Sequence, residues 1–359
     1  MRGMVKRLLA GMCLLALTAC GQTAAEKKPA AGGPVSGPVG GAVGGTLKAV
    51  RDRGYVSCGA STGTVGFGAP DSRGYWRGLD VETCRAVAAA VLGDKDKVRF
   101  VPLTGQQRLT ALQSGEIDIL PRTTTWTLSR DANGVNFTLP NYYDYDGIMV
   151  RKDRGVTSSR ELDGASVCVQ TGSTTEVTFT NLVASVAPNL KAVIFDSTQA
   201  TRQAFFSGRC DALITDASGL ASVRATMASN PDDFIIFPAD GKLSPLTPAV
   251  RHGDDQWFDI VKWSFQALLM AEELRITQAN IDEMRKSQDP TIRRFLGVEP
   301  GNGVALGLDE EWTYRIVKQL GNYGEMFDRN VGAGSPLKLD RGLNRLFRDG
   351  GLMVPMAFN

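Results

Sequence analysis

The sequence predicts an α/β protein of two similar lobes, each a mainly parallel sheet flanked by helices, with a cleft between them. Three observations carry that expectation. First, two stretches resemble each other at a constant offset: Thr104-Gly105-Gln106 running on to Gly115-Glu116-Ile117-Asp118, and Ser197-Thr198-Gln199 running on to Gly208-Arg209-Cys210-Asp211. Each opens with a hydroxyl residue able to cap a helix, carries about ten helix-compatible residues and stops at a glycine suited to the position after the last turn. Each then enters a short apolar segment, 117–120 and 212–214, so helix, tight stop and buried strand occur twice. The separation is too long for a solenoid unit, which leaves two similar lobes. Second, strand-like and helix-like patterns alternate, which predicts parallel strands with ligand sites beyond their carboxyl ends. Third, about 310 residues follow residue 45, enough for two cores rather than one.

Taken in order, the chain opens with Arg2, Lys6 and Arg7 ahead of an apolar run at 8–17 that is too short to span a bilayer, the pattern of an export signal over 1–19. Leu17-Thr18-Ala19-Cys20 resembles the lipobox of bacterial lipoproteins, which implies a lipid on Cys20 and attachment to the membrane through it. Residues 20–45 are rich in Gly, Ala and Pro with almost no large apolar side chain, and predict a flexible tether. The first part of lobe one is expected over 46–151, with strands at 55–59 and 98–101 and a helix at 81–92 ended by Gly93. Lobe two is expected over 152–247, with strands at 165–169 and 192–195 and a helix at 174–187 stopped by Pro188. Apolar extended stretches near 147–151 and 246–251 are the expected crossings between lobes. Residues 248–300 would return to lobe one, and 301–359 form a carboxyl-terminal extension with no assigned role.

The formal net charge is +2, and no long basic run or aromatic-interleaved basic patch occurs, so no nucleic-acid partner is predicted. After the leader no segment holds about 18 uninterrupted apolar residues, so no transmembrane helix is expected. Of the six cysteines, Cys13 leaves with the signal and Cys20 is claimed by lipid, leaving Cys58, Cys84, Cys168 and Cys210. An even set without tight C-x-x-C spacing predicts two disulfides in an oxidising compartment and no metal site. Cys58 with Cys84 and Cys168 with Cys210 each fall inside one expected lobe, whereas any other pairing would staple the lobes together. The only histidine, His252, sits in the polar loop Arg251-His252-Gly253-Asp254-Asp255 and reads as a solvated turn residue. No Gly-x-Ser-x-Gly, Walker or His-Glu-x-x-His pattern is present, so neither a catalytic residue nor a cofactor is nominated.

At Gly78-Leu79-Asp80-Val81-Glu82, followed by the helix at 84–91, the chain resembles the signature of type II periplasmic amino-acid-binding proteins, with Thr83 as a departure where that signature prefers an aliphatic residue. Asp118-Ile119-Leu120, Thr125-Trp126-Thr127-Leu128-Ser129-Arg130, Asn141-Tyr142-Tyr143, Cys168-Val169-Gln170-Thr171-Gly172 with Glu176, Gly253-Asp254-Asp255-Gln256-Trp257-Phe258 and Gly321-Asn322-Tyr323-Gly324-Glu325 resemble the general L-amino-acid-binding subunits of broad-specificity ABC importers. The resemblance runs over nearly the whole mature chain. It implies a type II periplasmic binding protein fold, a free amino acid as ligand and ABC permease subunits as partners. A lipid anchor is less usual in that group. The alternative is a dehydratase-like enzyme on the same fold, which would need a general acid or base at the reacting atom.

An amino acid presents one carboxylate and one ammonium in a fixed arrangement. A guanidinium suits the carboxylate because its planar fork donates two parallel hydrogen bonds and keeps its charge. The resemblance assigns this to Arg130, with Thr123 and Thr125 offering hydroxyl and backbone groups; the neighbouring Arg122 reads equally as a second positive group or as a solvated loop arginine. Gly172 and Thr174, in a turn opening a helix, match a second carboxylate grip, since unpaired N–H groups and the helix dipole favour an anion there. Asp216, at the end of a buried strand, is assigned to the ammonium. Ser61 stands where some binders of basic amino acids place an acid, which argues against selectivity for cationic side chains, and Phe67 is the expected aromatic contact.

Overall fold

In the computed structural model, residues 45–61 and 63–358 are described. The signal segment, Cys20 and all but the last residue of the expected tether lie outside them. Helix α1 (Thr46–Arg53) ends at Gly54, whose φ of 79° lets its N–H close on the Val50 carbonyl before the chain enters β1 (Val56–Ala60). A small hairpin of β2 (Ala69–Pro70) and β3 (Trp76–Arg77) leads to α2 (Leu79–Leu92), a helix buried almost all round. Then come β4 (Val98–Pro102), α3 (Gln107–Ser114), the single-turn α4 (Leu128–Asp131) and β5 (Val135–Phe137). Lobe two holds β6 (Tyr142–Arg151), β7 (Ser166–Gln170), α5 (Thr174–Ser185), β8 (Lys191–Phe195), α6 (Thr198–Phe206), β9 (Ala212–Asp216), α7 (Ala217–Met227) and β10 (Phe234–Leu246). The return adds β11 (Ala249–Arg251), α8 (Asp255–Glu273), α9 (Ile281–Met284), α10 (Pro290–Phe295), α11 (Asn302–Leu306), α12 (Trp312–Leu320) and α13 (Tyr323–Asn330).

The two lobes repeat one sheet. In lobe two the order is β8, β7, β9, β6, β10, with only β6 running against the rest. In lobe one β4 pairs in parallel with β1, Cys58 of β1 bridges Ile119 in parallel, Leu120 bridges Ala249 antiparallel, and β11 pairs antiparallel with β5. The reversed fourth strand is therefore β11 in lobe one and β6 in lobe two. The internal repeat has a physical purpose as well. After each helix stop an aspartate turns its carboxylate onto a neighbouring strand of its own lobe, β1 or β7: Asp118 accepts from the Ser57 N–H at 2.7 Å and Asp211 from the Ser166 N–H at 2.8 Å. Each also pairs with an arginine, Arg53 and Arg154 respectively.

Both disulfides form as expected, Cys58–Cys84 joining β1 to α2 and Cys168–Cys210 joining β7 to the turn before β9. The boundaries differ. The segment 147–151 is not a crossing but the interior of β6, where Gly147 pairs with Thr215 and Pro238. It reads as a bare apolar run because strands lie on both sides of it and residues 146–150 are buried on both faces. The crossings lie at 138–141 and 247–248, side by side: Thr138 donates to the Pro248 carbonyl at 2.9 Å and Asn141 to the Leu246 carbonyl at 2.9 Å.

Residues 301–358 are no appendage either. Trp312, Ile316, Val317, Tyr323 and Phe327 are fully buried in the same apolar core as α2 and α8. From that core the Tyr323 hydroxyl donates to the Asn141 carbonyl at 2.9 Å, and the Asn344 amide both accepts from the Tyr143 N–H at 2.6 Å and donates to its carbonyl at 3.1 Å.

Candidate functional site

Between the lobes, at the carboxyl ends of β7 and β9, lies a polar cavity. It is lined by Ser61, Thr64, Arg108, Arg122, Thr123 and Thr125 from lobe one, and by Thr174, Arg202, Asp216 and Ser218 among others from lobe two. The lobes touch across it. Thr125 and Thr174 share a hydroxyl hydrogen bond at 3.2 Å, and Arg202 donates to the Gly63 carbonyl at 2.8 Å and to the Thr64 hydroxyl at 3.2 Å. The lobes are therefore closed on the cavity.

Asp216 ends β9 and starts α7, yet its side chain makes no capping bond, and its Oδ1 is buried without a hydrogen-bond partner. Burial, with the nearby Asp144 and Asp146 charges, pushes its carboxyl well above the usual carboxylate range, while Arg108 and Arg130 pull it back. An acid held in this way gains most from a cation brought to it. Asp144 is tied by the Ser218 hydroxyl and N–H, and Asp146 by the Thr178 hydroxyl at 2.5 Å, so Asp216 is the carboxylate left facing the cavity.

On the lobe-one wall, Thr123 has a φ of 40°, an uncommon value for a non-glycine residue. Its N–H is anchored on Asp80 Oδ2 at 2.7 Å, and Asp80 in turn accepts from Asn141 at 2.9 Å. Burial raises the Asp80 carboxyl to about 6 against those two bonds. The sharp turn brings Thr123 and Thr125 to the cavity together, with Thr125 held by Ser244 at 3.0 Å. On the lobe-two wall, Thr174 is the first residue of α5, behind a Ser173 cap that accepts from the Glu176 N–H.

Of the expected residues, Ser61, Arg122, Thr123, Thr125, Thr174 and Asp216 come together here. Arg130 does not line the cavity. Its Nη1 donates to the Thr125 carbonyl at 2.9 Å, so one arm of the expected fork already holds the wall in place. Gly172 has the positive φ of 71° that glycine permits, but its N–H is taken by Glu176 at 2.9 Å and it packs on Gln106. That N–H is therefore already bonded within the protein. Phe67 is fully buried in the lobe-one core, edge-on to Tyr142 at 5.1 Å, and does not line this cavity.

Sequence reasoning missed Arg108 and Arg202 altogether. Both were detectable. Arg108 lies one helical turn before the buried Ala111 and Leu112 of α3, and Arg202 three residues before the buried Phe205 of α6. An arginine on the apolar stripe of a helix is there to meet a partner.

The sequence profile of the bacterial extracellular solute-binding proteins, family 3, matches residues 56–280. The chain is 51% identical to the general L-amino acid-binding periplasmic protein AapJ of Rhizobium johnstonii, over 86% of this chain and 91% of that one. It is 49% identical to the glutamate/glutamine/aspartate/asparagine-binding protein BztA of Rhodobacter capsulatus, over 87% and 93%. A periplasmic binding protein of an ABC transporter from Brucella ovis, solved with glutathione bound, superposes with a TM-score of 0.84 at 46% identity, over 88% of this chain and 99% of that one.

Proposed function

The chain belongs to the bacterial extracellular solute-binding proteins, family 3, and from that membership we propose that it captures free L-amino acids with broad specificity and delivers them to an ABC permease. The observation that carries this reading is the unpartnered Oδ1 of Asp216 in a closed seam also lined by guanidinium groups, the charge pattern a zwitterion complements. The ammonium is taken by Asp216 from lobe two. The carboxylate is taken on the lobe-one side by the Thr125 wall, with the positive charges of Arg108 and Arg130 behind it and Thr174 opposite. Because the two ends are drawn from different lobes, a bound amino acid satisfies both only in the closed state, and binding shifts the equilibrium towards it.

The chain is a binding protein rather than an enzyme, as its relatives are by name. A dehydratase-like activity finds no support among them. No helix of the described residues is long and apolar enough to cross a membrane. For attachment we propose a lipid on Cys20, supported by the Leu17-Thr18-Ala19-Cys20 pattern. Cys20→Ser would then release the protein from the membrane fraction, whereas unchanged membrane retention would reject the anchor. For the ligand, calorimetric titration with the twenty amino acids is expected to show binding of several chemically different ones, and no binding by any would reject the reading.

A further inference from the structure

The charged side chains lining the cavity are Arg108, Arg122, Arg202 and Asp216, three guanidinium groups facing one carboxylate. Among the described residues none of the three arginines has a carboxylate oxygen within the 4.0 Å of an ion pair. They are held instead by neutral acceptors. Arg108, 4% exposed, reaches the Arg122 and Thr123 carbonyls at 3.3 and 3.4 Å. Arg122, 5% exposed, donates to the Leu103 carbonyl at 2.7 Å. Arg202, 8% exposed, spends its two terminal nitrogens on Gly63 and Thr64 of the other lobe. The Nε atoms of Arg108 and Arg202 are buried with no partner.

A guanidinium taken out of water without a counter-charge is costly, and like charges add to that cost. Burial, then the neighbouring Arg122 charge, lowers the Arg202 pKa to about 10, which still leaves the group charged at neutral pH. A zwitterion with an uncharged side chain does not relieve this. Its ammonium answers Asp216 and its carboxylate answers one arginine; Asp80 acts on Arg108 and Arg122, whereas no carboxylate pairs with Arg202, whose positive charge stays unanswered in the closed seam. A ligand with a second carboxylate removes one unit of it.

Resting on the proposed function, we infer that among amino acids the cleft favours those bearing a side-chain carboxylate, and that Arg202 of α6 is the residue that reads it. Arg202 fits this part better than the other two. Arg108 and Arg122 are bonded into the Leu103 and Thr123 backbone on the lobe-one wall. Arg202 comes from the facing lobe and is fixed against Thr64, which is itself bonded to Ser61 at 2.9 Å, and neither of these residues bonds to Thr125. Its free Nε–H is the donor available to a side-chain carboxylate.

Glutamate and glutamine have nearly the same shape and differ in charge, so their affinity ratio isolates this effect. Titration calorimetry of the wild-type protein is expected to show glutamate binding at least ~10-fold tighter than glutamine, a difference of about 1.4 kcal/mol. In Arg202→Gln the ratio should fall to below ~3-fold. Loss of the bonds to Gly63 and Thr64 alone would weaken both ligands alike and leave the ratio unchanged, which would overturn the role of Arg202. Arg202→Lys, which keeps a charge without the planar fork, should recover part of the preference. Equal affinities in the wild type would overturn the inference while leaving the proposed function standing. Binding of neither ligand would reject the proposed function and the inference with it.

Discussion

Replacing Asp216 by Asn keeps the shape of the side chain and removes the one carboxylate facing the cavity. In the closed protein its Oδ1 has no partner, and the other charged groups lining the cavity are three arginines. A ligand ammonium bound to the variant would therefore lose its counter-ion in a water-poor seam. Removing one partner of a buried charge pair costs about 2 to 5 kcal/mol, or roughly 30-fold to several-thousand-fold in affinity. The loss is expected for every amino acid tested, because the ammonium is common to them all. Stability should move the other way. The wild-type carboxyl has a pKa well above its ordinary value, so burial of the ionised form costs folding energy at neutral pH. Without ligand, Asp216→Asn should melt at a higher temperature than the wild type. Calorimetric titration and a thermal melt on one preparation read both effects. A folded variant that still bound several amino acids with wild-type affinity would refute the assignment of Asp216 even though the family membership stands.

Arg130→Gln should weaken all amino acids by at least ~30-fold, since it removes a positive charge near Asp216 and frees the Thr125 carbonyl. Ser61→Ala, which frees Thr64 beside Arg202, should reorder preferences among side chains without abolishing binding, and a uniform loss in the same titrations would contradict that division. Burial raises Asp144 from 3.8 to about 6, so it contributes stability that is complete below about 4 and lost as pH rises through 6. Asp144→Asn should remove a slope on the order of 3 kcal/mol across that window, read as the difference between wild-type and variant unfolding curves, and parallel curves would count against it. Replacing Cys168 and Cys210 together by Ala should cost about 4 kcal/mol in denaturant unfolding, from a loop closed over 42 residues, while leaving ligand affinity intact because the bridge lies within lobe two.

What the sequence revealed was whatever is encoded locally. The repeat foretold two lobes because helix stop and following strand are neighbours in the chain, and both disulfides followed from lobe membership. The first crossing was misplaced because a strand buried on both faces has no alternation to distinguish it from an apolar connection, and β6 is such a strand. The site was half legible. Asp216, Thr123, Thr125 and Thr174 sit in short motifs at element ends, where local pattern and a place on the cavity wall coincide. Gly172 failed because Glu176 competes for its N–H, a contact four residues away that looks like ordinary helix capping. Phe67 failed because an aromatic beside a cleft and one beneath it read alike. Arg108 and Arg202 each stand on the apolar stripe of a helix, which marks them locally as buried arginines, but that the two helices line one cavity from different lobes is something no local pattern reports.

The Asn344 amide also bears on how such chains can be recombined. Tyr143 lies beyond the last residue pair of β6 with β9, Asp146 with Asp216, and stands opposite Pro245 in β10. Its N–H and carbonyl would have no neighbour on the β9 side, and Asn344 serves both as an added strand would. The family profile ends at residue 280, well before that amide. A splice at the profile's border, joining this binding module to the tail of a shorter relative, would leave the first residues of the hinge strand without their support. Long and short members of the family are therefore not interchangeable parts, and the carboxyl-terminal segment has to be exchanged together with the cleft it steadies.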